Sequence, residues 1–477
     1  MIFVQLHHVL GVLTGDERKD KQKTLEERLD DGRALRKQIP RSAHADWTPP
    51  RDRKDPLAIL AESDKGRITE LIPVRHSRMS QSPFTFYRGL AALMAADLAL
   101  TPVTGVKVQA CGDCHLQNFG GFATPERNLI FDINDFDETI PAPWEWDLKR
   151  LAVSAVLAGR QIKLQKDAIL EAARTCVRSY RLNMQELART SALDVWYSKI
   201  VSEDFLFALR KKSSRRILEQ RIKKAESTNS EALFPKLTEV VNGERRIIDN
   251  PPLIYHPKQL DSFEHEMEEF LNEYYESLNH ELHVLLERYR LLDVALKVVG
   301  IGSVGTRCAV ALLMGENNDP LFLQFKEARR SVLEQYAGMT SSFHNQGQRV
   351  VVGQKIMQSA SDMFLGWNSH KGKLDFYFRQ LRDAKITVIL ENLDEYEFIM
   401  YLGFCARSLA QSHARSSDPA LIAGYMGKSS AFDKSIADFA ITYANQTERD
   451  FSVFRKAVSS GQLSADESKS ADQTFES

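Results

Sequence analysis

Residues 110–147 read ACGDCHLQNFGGFATPERNLIFDINDFDETIPAPWEWD, and the interpretation of the whole chain turns on them. Asp113, His115 and Asn118 form one polar burst; Asp132, Asn134, Asp135, Asp137 and Glu138 form a second. Between them, the apolar run at 128–131 has the look of a short buried strand. Carboxylates at the ends of such a strand are poor core material, because an unpaired buried charge is costly. A hard cation or a phosphate-bearing ligand makes sense of them. The expectation is a magnesium–nucleotide site, with Mg2+ and ATP as cofactors.

The bulk numbers narrow the classes. At 477 residues the chain is long enough for two or three lobes. A formal net charge of -1 creates no global field for nucleic acid or an acidic membrane, so neither is expected as a partner. No apolar run approaches the roughly 20 residues that span a bilayer. The start, MIFVQLHHVLGVLTG, lacks the basic segment and small-residue cleavage site of an export signal, and a cytoplasmic location is expected. Five scattered cysteines, Cys111, Cys114, Cys176, Cys308 and Cys405, do not suggest a disulfide framework. Cys111-Gly-Asp-Cys114-His115 does match the CxxCH pattern of haem attachment. Haem attachment wants an exported chain, and a redox pair wants a helix N-terminus to lower one thiol pKa. Here the segment follows a predicted strand at 106–110 and leads into a loop.

Along the chain, 1–60 reads as a polar extension whose end, WTPPRDR, is an extended linker. Residues 61–290 read as a helical lobe carrying both polar bursts. Ser82-Pro83 starts a predicted buried helix running to 98, and Trp144 starts another. Arg75, Arg78 and Arg88 are candidates for phosphate contact or for pairing with nearby carboxylates. Helical patterns cover 168–188, much of 193–224 and 262–291, with a proline-rich loop at 235–257. Residues 291–390 read as a β lobe, 391–460 as helices returning to the large lobe, and 461–477 as a disordered tail. Within the β lobe, helices are expected at 327–336 and 348–362 and a strand at 376–381.

The β lobe opens with Gly300-x-Gly302-Ser303-x-Gly305, set between two strand-like runs, and Lys326 ends the next strand. A dinucleotide-binding loop would instead open a helix and be followed by an acidic residue. A glycine loop between strands with a lysine on the following strand is the protein-kinase arrangement. The plainer alternative is a tight hairpin with turn glycines and an ordinary lysine. In the kinase arrangement Lys326 would clamp phosphates, with Glu334 or Glu327 as its partner.

Kinase-type transfer also needs an aspartate to orient the acceptor, an asparagine on metal and a second metal-binding aspartate. Asp113 and Asn118 fit the first two, and Asp135, or less well Asp132, fits the third. Gly112-Asp-Cys-His-Leu-Gln-Asn118 resembles the H-G-D-x-H-x-x-N loop of aminoglycoside and choline kinases, with Cys111 where histidine is common. Asp147-Leu resembles a later segment of that group. The order is reversed: the glycine loop and lysine follow the aspartate loop. Phe404 to His413 resembles the helix that precedes the catalytic loop in those enzymes, so cutting the fold there and joining its old ends would give this order. The expected fold is therefore α+β, a two-lobed and circularly permuted protein-kinase-like fold. It has a small antiparallel sheet lobe and a larger, mainly helical one.

SPFTFYRG at 82–89, GDCHLQNFG at 112–120, NDFDE at 134–138, WEWDLKRLA at 144–152, GSVGTR at 302–307 and the run 406–415 occur together. In these phrases the chain resembles the bacterial family catalogued as domain of unknown function 2252. The resemblance names the family and leaves the chemistry to the residues. Those favour a phosphotransferase or nucleotidyltransferase acting on an unknown small molecule or protein. A metal-dependent phosphohydrolase built on Asp113-x-His115 and a non-catalytic nucleotide-binding protein are the alternatives.

Overall fold

The computed structural model describes residues 23–466, apart from 252, 257–260, 299, 339–340, 371 and 382–383. The apolar start, Pro252 and Pro257 of the proline-rich loop, and most of the expected disordered tail (467–477) lie outside the described residues.

Each half of the polar stretch is built on short strands. β1 (Lys107–Ala110) precedes the first burst, and β2 (Phe119–Ala123) and β3 (Leu129–Ile133) form the hairpin between the bursts. β4 (Ile140–Pro143) follows the second burst and returns to pair antiparallel with β1. Gly112 has φ +81, and a Cβ there would lie 2.4 Å from the Glu138 carbonyl oxygen, so only glycine lets the two bursts touch.

The helix Trp144–Gln161 then runs through the interior, with residues 144–159 buried on every side. It packs against Lys166–Leu187, Glu395–Ser416 and Ala431–Ser459 in one large apolar core. A helix buried all round reads as apolar, yet this one carries Glu145, Asp147, Lys149 and Arg150 inside. The Glu395–Ser416 helix opens with a capping box, Asp394 bonding the Glu397 N–H while Glu397 returns to Asp394 N–H.

The expected 1–60 extension is corrected from Lys23 onward. Helix Leu25–Ala34 packs on Pro419–Met426, where Gly32 and Gly424 allow backbone contact. Trp47, in the expected linker, is 7% exposed, and Arg53 bridges Asp97 and Asp450 at 2.8 and 2.7 Å. At the other end, Leu463 packs beside Phe454 and the Asp466 N–H reaches the Pro73 carbonyl, so 461–466 is ordered structure on the large lobe.

β5 (Thr238–Val241) and β6 (Glu244–Ile247) form a hairpin after helix Ser230–Leu237, which holds Pro235, expected to be in a loop. β7 (Ile254–Tyr255), β8 (Tyr289–Lys297), β9 (Cys308–Gly315), β10 (Pro320–Ala328), β11 (Gly366–His370) and β12 (Leu374–Gln380) make one antiparallel sheet, in the order β11-β12-β10-β9-β8-β7. β13 (Ile386–Thr387) joins β2 and β3. Both faces of β9 are covered: Ala309, Ala311 and Leu313 meet Phe270 and Tyr274, while Val310 and Leu312 meet Leu233 and Ile247.

Three expected elements change. The 262–291 helix is two helices, Asp261–Tyr275 and His280–Leu286, and its end is the start of β8. The helix expected at 327–336 is the end of β10 followed by turns. The 84–98 helix breaks at Leu90, whose φ of -136° is not helical. The expected 348–362 helix is Gln346–Met357, and the chain is a mixed α+β protein with antiparallel sheets. Among the described residues no helix is long and apolar enough to cross a membrane.

Candidate functional site

The first polar burst is held entirely by the large helical lobe. Asp147 accepts the backbone N–H groups of Cys111 and Gly112 at 2.8 and 3.0 Å, and His413 Nε2 lies 3.3 Å from the same carboxylate. Tyr180 OH meets the other ring nitrogen of His413 at 2.8 Å. Ser154 accepts the Leu116 N–H, and Tyr401 donates to the Leu116 carbonyl. The loop is thereby fixed by side chains that cannot move without disturbing the core.

Within it, Asp113 Oδ1 accepts from Arg150 Nε at 2.7 Å and from the same guanidinium's Nη2. Burial pushes the Asp113 carboxyl above its ordinary range, and Arg150 opposes that shift. His115 Nε2 is 3.8 Å from Asp113 Oδ2, and burial, aided by Arg88 and Arg150, holds the imidazole well below its usual pKa and therefore neutral. Asn118 donates its amide to the Asp113 carbonyl at 2.8 Å, which leaves the side-chain oxygen for another partner.

The second burst faces the sheet lobe. Asp137 Oδ2 accepts from Lys326 Nζ at 2.8 Å and from Ser303 Oγ at 3.1 Å, and Oδ1 accepts from Tyr377 OH at 2.6 Å. Lys326 and Tyr377 are cross-strand partners on β10 and β12. Burial alone would raise the Asp137 pKa, but the Lys326 charge and the hydrogen bonds from Lys326 and Tyr377 together outweigh it and hold the carboxyl down. Glu138 accepts the Val332 N–H at 2.6 Å, and burial pushes its carboxyl up to about 7. Neither Asp137 nor Glu138 is therefore a simple solvated acid.

Between the two lies Asp135, whose carboxylate accepts only the Asp137 N–H, at 3.2 Å, and forms no ion pair among the described residues. Its charge acts on Asp113, Lys326, Tyr377 and Arg379. A partly buried carboxylate with no ion pair among the described residues, next to a loop with an open amide oxygen, fits a hard cation.

Asp132 does not fit as the alternative ligand. Oδ1 accepts from Ser408 Oγ and the Ile133 N–H at 2.7 and 2.9 Å; Oδ2 accepts from the Ser359 N–H and hydroxyl at 2.9 and 3.1 Å. Protein donors occupy the acceptor positions a metal would need. Asp132 instead ties β3 to the middle of the Glu395–Ser416 helix and to the segment just past Gln346–Met357.

The glycine segment is a turn, with a 3-10 helix at Ile301–Ser303. Gly305 has φ +86, and its carbonyl accepts the Ile68 N–H at 2.7 Å. Gly300 faces open space, and a Cβ on Gly302 would approach only the Arg88 carbonyl, at 3.7 Å. The expected Lys326 partners are elsewhere: Glu327 pairs with Arg307 at 3.0 Å, and Glu334 sits in the turns after β10 and accepts the Ser341 N–H. Arg75 is paired with Asp64 and bonds the Gly89 carbonyl, which answers its candidacy as a free phosphate contact.

Two roles were missed in the sequence. Arg150 clamps Asp113, and the only hint was charge inside an otherwise apolar helix. Arg349, 2% exposed on helix Gln346–Met357, donates to the carbonyls of Thr139, Asp137 and Arg329 at 2.6, 2.8 and 2.8 Å. It fastens the second burst to the lysine strand.

Cys111, Cys114 and Asp147 bring three ligand atoms within 4.8 Å of one another. Burial raises both thiols, Cys114 to about 12, and Asp147 is already spent on two backbone N–H groups. Thiols held protonated are poor redox nucleophiles, and Asp147 braces the loop through the two N–H groups.

No curated protein and no solved structure matches the chain. Residues 67–457 match the model of a family described as uncharacterized proteins conserved in bacteria (DUF2252), and the chain belongs to that family.

Proposed function

We propose that this protein is a Mg-ATP-dependent phosphotransferase, or a nucleotidyltransferase, with a circularly permuted kinase-like fold. One observation carries the reading: Lys326 Nζ and Asp137 Oδ2 are 2.8 Å apart although 189 positions separate them. That contact brings the glycine turn and its lysine strand onto the loops that hold Asp113, Asn118 and Asp135. Further support comes from connectivity. A glycine turn joins β8 to β9, the lysine is on β10, and a helix, Gln346–Met357, follows before the next two strands. This is the arrangement of parts in a kinase small lobe.

In this reading Asp113 orients or deprotonates the acceptor hydroxyl, with one of its oxygens held by Arg150. Asn118 and Asp135 would hold Mg2+, which would neutralise charge on the transferred group. Lys326 binds phosphate oxygens and the turn at 300–305 covers them. The acceptor is an unidentified small molecule or protein, and a location in the cytoplasm suits ATP as donor. The phosphohydrolase alternative finds less support. Among the described residues the grouping of three His, Cys, Asp or Glu ligands is Cys111, Cys114 and Asp147, and His115 has no second carboxylate in such a set.

Calorimetry of ATP binding with and without Mg2+ tests the proposal. The wild type should bind in a Mg-dependent way, and Asp135→Ala and Lys326→Ala should each weaken binding about tenfold or more. No binding, or binding indifferent to both substitutions, removes it.

A further inference from the structure

A buried lysine that receives phosphate needs a carboxylate to hold it in place before the ligand arrives, because an unpaired ammonium in low dielectric is costly and mobile. In kinases that carboxylate is a glutamate on the helix after the lysine strand. Here the corresponding helix, Gln346–Met357, reads QGQRVVVGQKIM and has no acid at all. The two other candidates near the strand end, Glu327 and Glu334, are engaged by Arg307 and the Ser341 backbone.

Lys326 is 4% exposed in its side chain, and its partner is Asp137. Asp137 also gathers groups from three separate parts of the sheet lobe: Lys326 from β10, Tyr377 from β12, and Ser303 from the glycine turn. The helix that lacks an acid contributes differently, because Arg349 grips the backbone carbonyl of Asp137 itself at 2.8 Å.

We infer that Asp137 is the positioning carboxylate of the phosphate-binding lysine, supplied by the metal loop in place of the helix. The inference rests on the nucleotide reading above. Asp135 and Asp137 then divide the work of the second burst: the first faces the cation, the second holds the ammonium with one of its three donors and leaves the others for phosphate oxygens. Ser303, bonded to the same oxygen, sets the glycine turn in register with the lysine. In this design the acid loop, the helix and the lysine strand move as one unit, since Arg349 also binds the Arg329 carbonyl just past β10.

The test is calorimetry with Mg-ATP, and by competition with adenosine, on wild type, Asp137→Asn, Lys326→Ala and the double variant. Expected is a loss of Mg-ATP affinity of about tenfold in Asp137→Asn, unchanged adenosine affinity, and little further loss when it is added to Lys326→Ala. Unchanged adenosine binding also shows that the variant is folded. Wild-type or tighter Mg-ATP binding by Asp137→Asn overturns the inference, as does an equal loss of adenosine, or additive losses in the double variant. If the wild type binds no Mg-ATP, the nucleotide reading fails first and carries this inference with it. If Lys326→Ala weakens binding and Asp137→Asn does not, the inference alone fails.

Discussion

The two polar bursts lie fewer than twenty positions apart and share a backbone contact at Gly112, yet they are braced from opposite sides. The first is tied to the helical core by Asp147, Arg150, Ser154 and Tyr401. The second is tied to the sheet lobe by Lys326, Tyr377, Ser303 and Arg349. The contrast assigns different work to each. A group that must meet an acceptor is best fixed to the rigid core, whereas groups that hold a nucleotide must communicate with the turn and lysine that cover it. Asp135, which forms no ion pair among the described residues, acts by its charge on both Asp113 and Lys326.

The sharpest way to break this division is to swap the losses. Asp113→Asn should lower transfer of phosphate, to water or to the chain itself, about a hundredfold or more while leaving Mg-ATP affinity near wild type. Asp135→Ala should instead weaken Mg-dependent binding about tenfold or more. Radiolabelled ATP turnover beside calorimetry distinguishes them, and equal loss of binding in both would erase the contrast.

Next in size is Arg150→Ala. It leaves the Asp113 carboxylate, 20% exposed, without its cation, and roughly 3 kcal/mol of stability should go with it. Chemical denaturation measures this. A change within error would mean that Asp113 is better hydrated than its surroundings imply.

Asp132→Asn tests the boundary between structure and site. Its four accepted bonds predict a loss of about 1–3 kcal/mol in denaturation midpoint analysis, with nucleotide affinity unchanged. Loss of Mg-dependent binding would restore it as a ligand.

The smallest effect is a pH slope. Burial raises the Glu138 carboxyl from its usual 4.5 to about 7. The folded state therefore binds the proton more tightly than the unfolded chain. The associated stability is fully present below about 4.5 and is lost as pH rises through about 7. Melting temperature followed across that window should fall with rising pH by more in wild type than in Glu138→Gln. Parallel curves would contradict the assignment.

Much of the local layout was legible. Strand–loop–strand around Asp113 to Asp135, the capped start at Ser82, and a glycine turn between strands all follow from patterns a few residues long. What failed, failed for identifiable reasons. Residues 289–291 are half-buried or exposed and follow two helices, so the start of β8 read as more helix, whereas its end from Val294 read as strand. The strand through Lys326 runs on to Ala328 because β12 pairs with it as far as Asp375, information absent from the local sequence. Trp47 and Arg53 looked like linker because proline and charge dominate that segment, but their partners, Tyr443, Asp97 and Asp450, are remote. The Lys326 counter-charge could not be read for the same reason. The kinase arrangement suggested an acid nearby in sequence, and the fold supplied one from 189 positions away.

The most direct measurement is a crystal structure of the protein with Mg2+ and a non-hydrolysable ATP analogue. The account predicts phosphate oxygens beside Lys326 Nζ, a metal on Asp135 and Asn118, and the turn at 300–305 over the phosphates. A nucleotide bound away from both Lys326 and Asp135 would contradict it.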